Sequence, residues 1–518
     1  MTASTQGWDT AYAMRFDRLN RIMDASVASG ETVLPQIDET TSTGRYTAAV
    51  TGVHLVGNAG LSGTRVKLCL MLGAGTVDLG TASAPAPKPV GEVLITGSAD
   101  LARLEDDHHV SIILAPTDCL RGAVVTGAGL NPLQTGVISA AMVQAITRKP
   151  DLLSKTVAVV DTCSPVAEKA PWLSPVEVRH CVSGGLLGGS ADQGTILAVL
   201  AMTAPFVKGN PVPVADFDGT ILGDTDDAAF LLAGSKFARN ILLPGLANGL
   251  FRPASPFTAD QLRQCEANHF QVDEAAGSVR LKANSDAIPI GTYDVDLTPL
   301  YGIFSGSLAM PPSIPFAVLV AIGLVASQLI IHQTANLIVP MGTWLEGIEV
   351  KRDGSRFTIS STVRCELAIG QLQLATIRVT NTSSYKLVLQ PDGSFLFASD
   401  GEPLVGDPDV TAPDWLKDLG MVGKIVATVV GLIATVVTAG EAAVAIGIII
   451  ALVGVAMQIT PTLIAASLSH GAGIAVPAEI SSFISTASSP VSWFRGSSLE
   501  HPKLEVGDAL SVVGKLSG

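Results

Sequence analysis

Charge is what this chain has least of. Charged residues fill 15% of its 518 positions, where a soluble protein typically carries about a quarter. No Asp, Glu, Lys or Arg occurs between Asp296 and Glu346, and between Lys424 and Glu479 Glu441 stands alone. Lys and Arg form no cluster, and the formal net charge is −14. A nucleic-acid partner is therefore not expected, because neutralising phosphates takes grouped cations. Cysteine is sparse too. Cys69, Cys119, Cys163, Cys181, Cys265 and Cys365 are scattered and make no CxxC pair, which argues for buried thiols over a disulfide framework or a zinc site. Met1 to Gly7 holds no basic segment followed by an apolar run, so no signal peptide is read there. The expectation is synthesis in the cytoplasm, with any release by a leaderless route. GxSxG, the P-loop and GxGxxG are all missing, which removes the usual signatures of hydrolases and nucleotide enzymes.

What the chain has in excess is apolar surface. Hydrophobic residues reach 47% and the mean hydropathy is +0.43. Such a chain buries a great deal of apolar area or presents some of it to lipid. The 51 Gly and 30 Pro suit a many-turned β protein better than a helical bundle. The length allows roughly two to four domain cores.

Local pattern supports that reading. Trp8, Tyr12, Phe16, Leu19 and Met23 recur at helical spacing, and Trp8 to Ser29 is read as one amphipathic helix stopped by Gly30. Tyr46 to Val56 and Thr64 to Leu72 read as strands around the Gly57–Gly63 turn. Ala82 to Val90 is a Pro-rich connector, and Val93 to Ile95 and Val110 to Leu114 are short strands. Asp227 to Leu243 returns to helical spacing and is expected to end at Pro244-Gly245. Asp353-Gly354 and Pro391-Asp392-Gly393 each sit between strand-like runs and read as hairpin turns. Ile425 to Val437 and Ala442 to Met457 are too long for ordinary strands and read as an apolar helical hairpin around Ala439-Gly440-Glu441. Its arms fall short of the ~20 residues that span a bilayer. Gly431, Gly447 and Gly454 would let the arms pack closely.

Three segments carry the residue types of chemistry. Asp216-Phe217-Asp218-Gly219-Thr220 matches the DxDGT pattern of Mg²⁺-dependent haloacid-dehalogenase-type phosphatases, where the first Asp attacks phosphorus and the second moves a proton. That chemistry needs a buried parallel strand before the motif, and Pro211 and Pro213 spoil one. A surface turn on Asp218-Gly219 is the plainer reading. Asp106-Asp107-His108-His109 has metal-ligand types, but adjacent histidines on a strand face opposite ways, and a solvated loop accounts for them. His180-Cys181 pairs a base with a thiol, yet sequence neighbours seldom meet side chain to side chain and no third orienting group is evident.

Gly7-Trp8-Asp9-Thr10-Ala11-Tyr12-Ala13-Met14, followed by Leu19-Asn20, resembles the opening of the clostridial OrfX-type toxin-cluster accessory proteins and their bacterial relatives. Ile196 to Thr203, Ala229 to Leu232, Ile241 to Leu246 and the late Trp415 before a Gly- and Ala-rich stretch are similar as well. The resemblance runs in order over most of the chain. It implies the tubular lipid-binding (TULIP) fold, in which a curved antiparallel sheet wraps a long helix and leaves an apolar groove. It further implies lipid binding, including phosphoinositides, and association with toxin gene clusters, with no catalytic residues. This sequence departs from it in showing no clustered basic pocket for a headgroup.

The expected fold is therefore α+β and TULIP-like, with an inserted apolar helical hairpin. The expected parts are an N-terminal portion of the body over 1–300, a β-rich portion over 301–414, the hairpin over 415–485 and a C-terminal segment over 486–518. The expected function is non-enzymatic binding, and carriage, of a lipid or other acyl-chain ligand, without cofactor or metal. Peripheral membrane contact and a protein partner from a toxin-type cluster belong to the same reading. Its rivals are an accessory subunit with a filled groove and the phosphatase at 216–220. Candidate lipid contacts are Val429, Leu432, Val436, Ile446, Ile449 and Val453 in the hairpin, with Phe316 and Leu319 from the other uncharged stretch. The purified protein is expected to leave a generic phosphate ester intact with Mg²⁺ present; turnover abolished by Asp216→Asn would overturn the non-enzymatic reading.

Overall fold

A computed structural model describes residues 5–30, 32–57, 64–80, 84–115, 121–149, 156–162, 171–184, 195–205, 222, 226–251, 257–273, 277–296, 338–353, 356–369, 372–389, 395–402, 404–414, 417, 422–423, 425–427, 429–430, 474–476, 491–493, 499–506 and 509–516. The fold is α+β, mostly antiparallel sheet with few helices. The chain divides into two compact units. Unit 1 comprises 1–233, 391–393 and 478–518, and unit 2 comprises 234–390 and 394–477.

Unit 1 opens with β1 (Thr10–Arg15), which passes directly into α1 (Phe16–Ala28). The helix expected over Trp8 to Ser29 is thus a strand followed by a shorter helix. All six residues of β1 are buried. A strand covered on both faces shows no alternation, so its apolar spacing fits a helix equally well. The helix stop is as expected: Gly30 has φ +77°, a left-handed conformation that glycine adopts without penalty.

The next elements are β2 (Gln36–Thr41), β3 (Gly44–Val56), β4 (Arg65–Leu72), β5 (Gly75–Asp78), β6 (Pro87–Val90), β7 (Val93–Glu105), β8 (His109–Ala115) and β9 (Arg121–Gly127). They belong to a ten-stranded sheet. β3 pairs with β2 and β5 through its first half and with β4 through its second, with a register shift between Val50 and Gly52. A strand that changes partners along its length bends, and the sheet curls with it. The buried face of the curl receives α2 (Pro132–Arg148), which packs on β2, β3, β5 and β9. Val137, Ile138, Ala141, Met142, Ala145 and Ile146 are its buried apolar side. Asn131 and Gln134 cap its start reciprocally, and Pro132 occupies the first turn, where its missing N–H costs nothing.

Unit 1 continues through β10 (Thr156–Asp161), which extends the ten-stranded sheet, then β11 (Pro175–Gly184), β12 (Thr195–Thr203) and β13 (Ala228–Ala233). A second sheet runs β11-β12-β1-β13 and then takes in the C-terminal strands Ala509–Leu516 and Leu499–Val506. Tyr12 stands opposite Val199 on one side and Phe230 on the other, its ring 5.1 Å from that of Phe230. The reverse face of the sheet carries Trp8, Ala11, Ala13, Cys181, Ala198, Leu200, Ala229 and Leu231 in one apolar cluster.

In unit 2, residues 234–251 run on as helix, with a π-type turn at Ala238–Leu242. This corrects the helix expected over Asp227 to Leu243: its first residues are β13, again buried throughout, and the helix passes Pro244 to reach Phe251. The wide turn just before Pro244 relieves the clash of a prolyl ring with the carbonyl four residues back. After α3 (Ala259–Asn268), capped by Thr258 and Gln261, come β14 (Phe270–Asp273), β15 (Ser278–Leu281), β16 (Ile288–Asp296), β17 (Ile338–Asp353), β18 (Arg356–Ile369), β19 (Leu372–Leu389) and β20 (Phe395–Ser399). β17 and β18 pair down to Asp353 opposite Arg356, and β19 pairs with β20, so both hairpins lie where the turn residues imply. Phe237 of the helical run stacks on Phe357 at 5.9 Å, and the Arg352 guanidinium lies 5.5 Å over the Phe237 ring.

Asn20 ties α1 to the backbone of the curled sheet. Asn20 Nδ2 donates to the Leu55 carbonyl and its Oδ1 accepts from the Leu55 N–H, each at 2.8 Å. The amide thus stands in for a neighbouring strand. Two such bonds contribute about 0.5–1.5 kcal/mol each. Asn20→Ala is expected to destabilise unit 1 by about 1–3 kcal/mol in urea unfolding, while Val33→Ala, at an exposed position, should shift it by less than about 0.5 kcal/mol.

Candidate functional site

Among the proposed lipid contacts, Val429 falls within the described residues; it is helical and fully buried, with Ile425 buried one turn before it. Leu432, Val436, Ile446, Ile449, Val453, Phe316 and Leu319 lie outside the described residues, as do Asp216 to Thr220.

The two other candidate clusters are placed apart from any shared chemistry. Asp106 to His109 form the turn between β7 and β8, and all four are exposed. Asp106 Oδ1 accepts from the backbone N–H groups of His108 at 2.8 Å and His109 at 2.6 Å. Those two amides hold the Asp106 carboxyl below its usual range. This is turn chemistry. Among the described residues no group of three His, Cys, Asp or Glu is disposed to hold a metal. His180 and Cys181 are both buried but face opposite ways. His180 Nε2 donates to the Leu101 carbonyl at 3.2 Å, whereas Cys181 joins the apolar cluster behind the sheet.

The residues of the opening motif are anchors. The Asp9 carboxylate accepts from the Thr203 N–H at 2.7 Å and the Thr203 hydroxyl at 3.1 Å, and the Asp9 carbonyl accepts from Ala233 N. Trp8 is buried. Arg15, at the other end of β1, donates from Nε to the Asp226 carbonyl at 2.7 Å and from Nη2 to the Leu222 carbonyl at 3.1 Å. Arg18 and Arg21 both approach Asp227, at 3.8 and 3.5 Å. Asp9 and Arg15 bind the two ends of the first strand, and Arg18 and Arg21 the helix after it, to sequence far away.

Among the described residues, two features present themselves for a ligand. One is a cleft between α1 and β3, lined by Met23, Asp24, Ser26, Val27, Thr32, Leu34 and Val53, with a cavity volume of about 20 Å³. The Ser26 and Thr32 hydroxyls bond at 2.7 Å beside it, and His54 Nε2 meets Asp24 Oδ1 at 2.7 Å. That volume holds about one water, so the cleft is no acyl-chain site. The other is the outer face of α2. Leu133, Gly136, Ala140 and Val143 follow one another at helical spacing and are exposed, Leu133 at 71% and Val143 at 52%. No charge interrupts the stripe. Leu94 and Val124, on β7 and β9, are exposed as well. Sequence reading missed α2, although Asn131-Pro132 with Gln134 three residues after Asn131 is a helix-start signature. Its apolar residues lie on both sides of the helix and blur the amphipathic period.

Solved structures offer clear counterparts to this fold. The chain is similar to P47 of Clostridium botulinum. P47 from Clostridium botulinum A2 aligns over 99% of this chain and 98% of its own, with a TM-score of 0.61 at 11% identity. P47 of Clostridium botulinum E1 aligns over 99% and 100%, with a TM-score of 0.58 at 9% identity. At these identities the likeness to P47 is one of fold. A lipopolysaccharide binding protein reaches a TM-score of 0.26 at 7% identity over 98% and 99%, a level on which no argument rests. No protein-family model matches the chain, and no curated protein matches it. Among the described residues, no helix is long and apolar enough to cross a membrane.

Because the stripe on α2 faces outward, its loss leaves the core intact. The double variant Leu133→Lys/Val143→Lys is expected to keep its thermal midpoint within about 2 °C of the parent, the scale of a surface change. A drop of 10 °C or more in a thermal melt would mean that the stripe is packed in solution.

Proposed function

We propose that this chain binds a lipid or another acyl-chain amphipath through uncovered apolar surface, without catalysis. The observation that carries the reading is the charge-free stripe on α2. That helix spends one side on the curled sheet and leaves Leu133, Gly136, Ala140 and Val143 outside. Apolar area withdrawn from water stabilises a complex by about 25 cal/mol per Å², so a contiguous stripe is a standing driving force for association. The packing of α2 against a curled antiparallel sheet supports the TULIP arrangement that the opening motif implies. The uncharged stretches after Asp296 and Lys424 carry further apolar residues, with Val436, Ile446 and Phe316 among the proposed contacts. Affinity comes from burial, and orientation from a few polar groups at the margin.

A second reading is favoured by the full-length likeness to P47. Here the chain is an accessory subunit of a toxin-type complex, and a protein partner covers the stripe. Native mass spectrometry before and after organic extraction separates the two. The lipid reading expects a co-purifying mass of several hundred daltons that extraction removes. It also expects Val436→Asp, and independently Leu133→Lys/Val143→Lys, to reduce that mass at unchanged thermal midpoint, since an unpaired carboxylate is costly in any apolar site. Lower stability with the full complement of lipid retained would leave these residues as packing alone.

A further inference from the structure

β11 is the outermost strand of the six-stranded sheet of unit 1 and pairs with β12 on one side. Its tie to the ten-stranded sheet of the same unit is made by side chains. Arg103 on β7 donates to the Val178 carbonyl of β11, and His180 on β11 donates to the Leu101 carbonyl of β7. The two bonds are reciprocal, each from a side chain of one strand to the backbone of the other. Opening this tie breaks no ladder bond.

The charges around it are balanced. Glu177, with its side chain 5% exposed, is shared by Arg103 at 3.2 Å and Arg179 at 2.9 Å, and Arg103 also meets Glu105 at 3.3 Å. Two guanidiniums thus meet two carboxylates, while His180, on the opposite face of β11 from Glu177 and Arg179, is only 7% exposed. β12, paired to β11, carries no charged residue, and β10, which also packs on β11, carries Asp161 at its end. A proton on His180 therefore places a positive charge at a buried position, while the nearby carboxylate of Glu177 is already engaged by Arg103 and Arg179.

The geometry points to an acid-sensitive latch at this junction: protonation of His180 releases the edge strand β11 from β7. This inference rests on the junction alone and is independent of the lipid reading. Burial, then the charges of Arg103 and Arg179, hold His180 below its ordinary value of 6.5, against the Leu101 hydrogen bond. The closed junction thus binds fewer protons than the open one. Closure is at full strength above about pH 6.5 and weakens as pH falls below it, by up to tenfold for each unit between the two pKa values.

Hydrogen exchange of the full chain, corrected for intrinsic rate and compared at pH 7.5 and pH 5.0, tests the latch. In the parent, peptides from 175–184 are expected to exchange several-fold faster at pH 5.0, with peptides from 356–369 in unit 2 unchanged. His180→Gln, whose amide can still donate to Leu101, should remove the pH effect. Arg179→Gln, at a half-exposed position, removes one repelling cation and should move the opening to lower pH. This variant decides the matter should His180→Gln not fold. Equal protection of 175–184 at the two pH values overturns the latch. So does an acid response in His180→Gln equal to the parent's, an Arg179→Gln midpoint that does not move, or simultaneous exposure of 356–369.

Discussion

Strand β1 is buried on both faces, and unit 1 is arranged around that condition. A backbone with no water on either side must pair all its N–H and C=O groups with other chain. Neighbouring sequence cannot supply both edges. The partners are β12 and β13, and the anchors at the two ends of β1 reach equally far: Asp9 to Thr203 across 194 residues, Arg15 to Asp226 across 211. β13 in turn pairs with Ala509–Leu516. The start, middle and end of the chain therefore close into one sheet, which is why unit 1 is discontinuous in sequence. Such a sheet forms only after long loops have closed, so its assembly is slow compared with that of the β17–β18 hairpin.

The same condition explains which parts of the fold can be read from the residues. The hairpin at Asp353-Gly354 is legible because turn chemistry is local. β3, β4 and β8 are legible because one face of each alternates with the other. β1 and β13 look helical because burial on both sides erases alternation. α2 is hidden for the opposite reason, since a helix with apolar residues on its outer face loses its amphipathic period. The opening motif was recognisable as a pattern, but the work of its residues was not. Asp9 and Asn20, like Arg15 just beyond Met14, act on partners that only the folded chain brings near. Of the proposed contacts, Val429 alone falls among the described residues, where it is buried.

Scarce charge is used here for fastening. Arg103 and Arg179 hold Glu177 where two sheets meet without a ladder between them. In unit 2, Arg364 and Arg378 share Glu346, and Arg364 also lies 4.9 Å over the Trp344 ring. Several of these charges meet partners from other strands, in geometries that cost less side-chain entropy than lone surface pairs. Outer faces elsewhere are wetted by hydroxyls. Ser360 meets Thr382, Thr362 meets Thr380, and Thr47 meets Thr76, each pair bridging two strands. Hydroxyl pairs satisfy a β surface without contributing charge.

A chain that fastens with its charges and wets itself with hydroxyls has a distinctive exterior. Among the described residues, an apolar stripe can run unbroken by Lys or Glu, which on most proteins limit the size of such patches. The stripe on α2 is a direct case, since the nearest ion pair on that helix, Arg148 with Glu39, lies at its last turn. Recognition at such a surface is governed by apolar area and shape at contact distance. The long-range field comes instead from the net charge of −14, and it is screened within about 8 Å at physiological salt. The field disfavours anionic partners during approach but adds little once surfaces touch. Uncharged and zwitterionic molecules meet no such obstacle during approach.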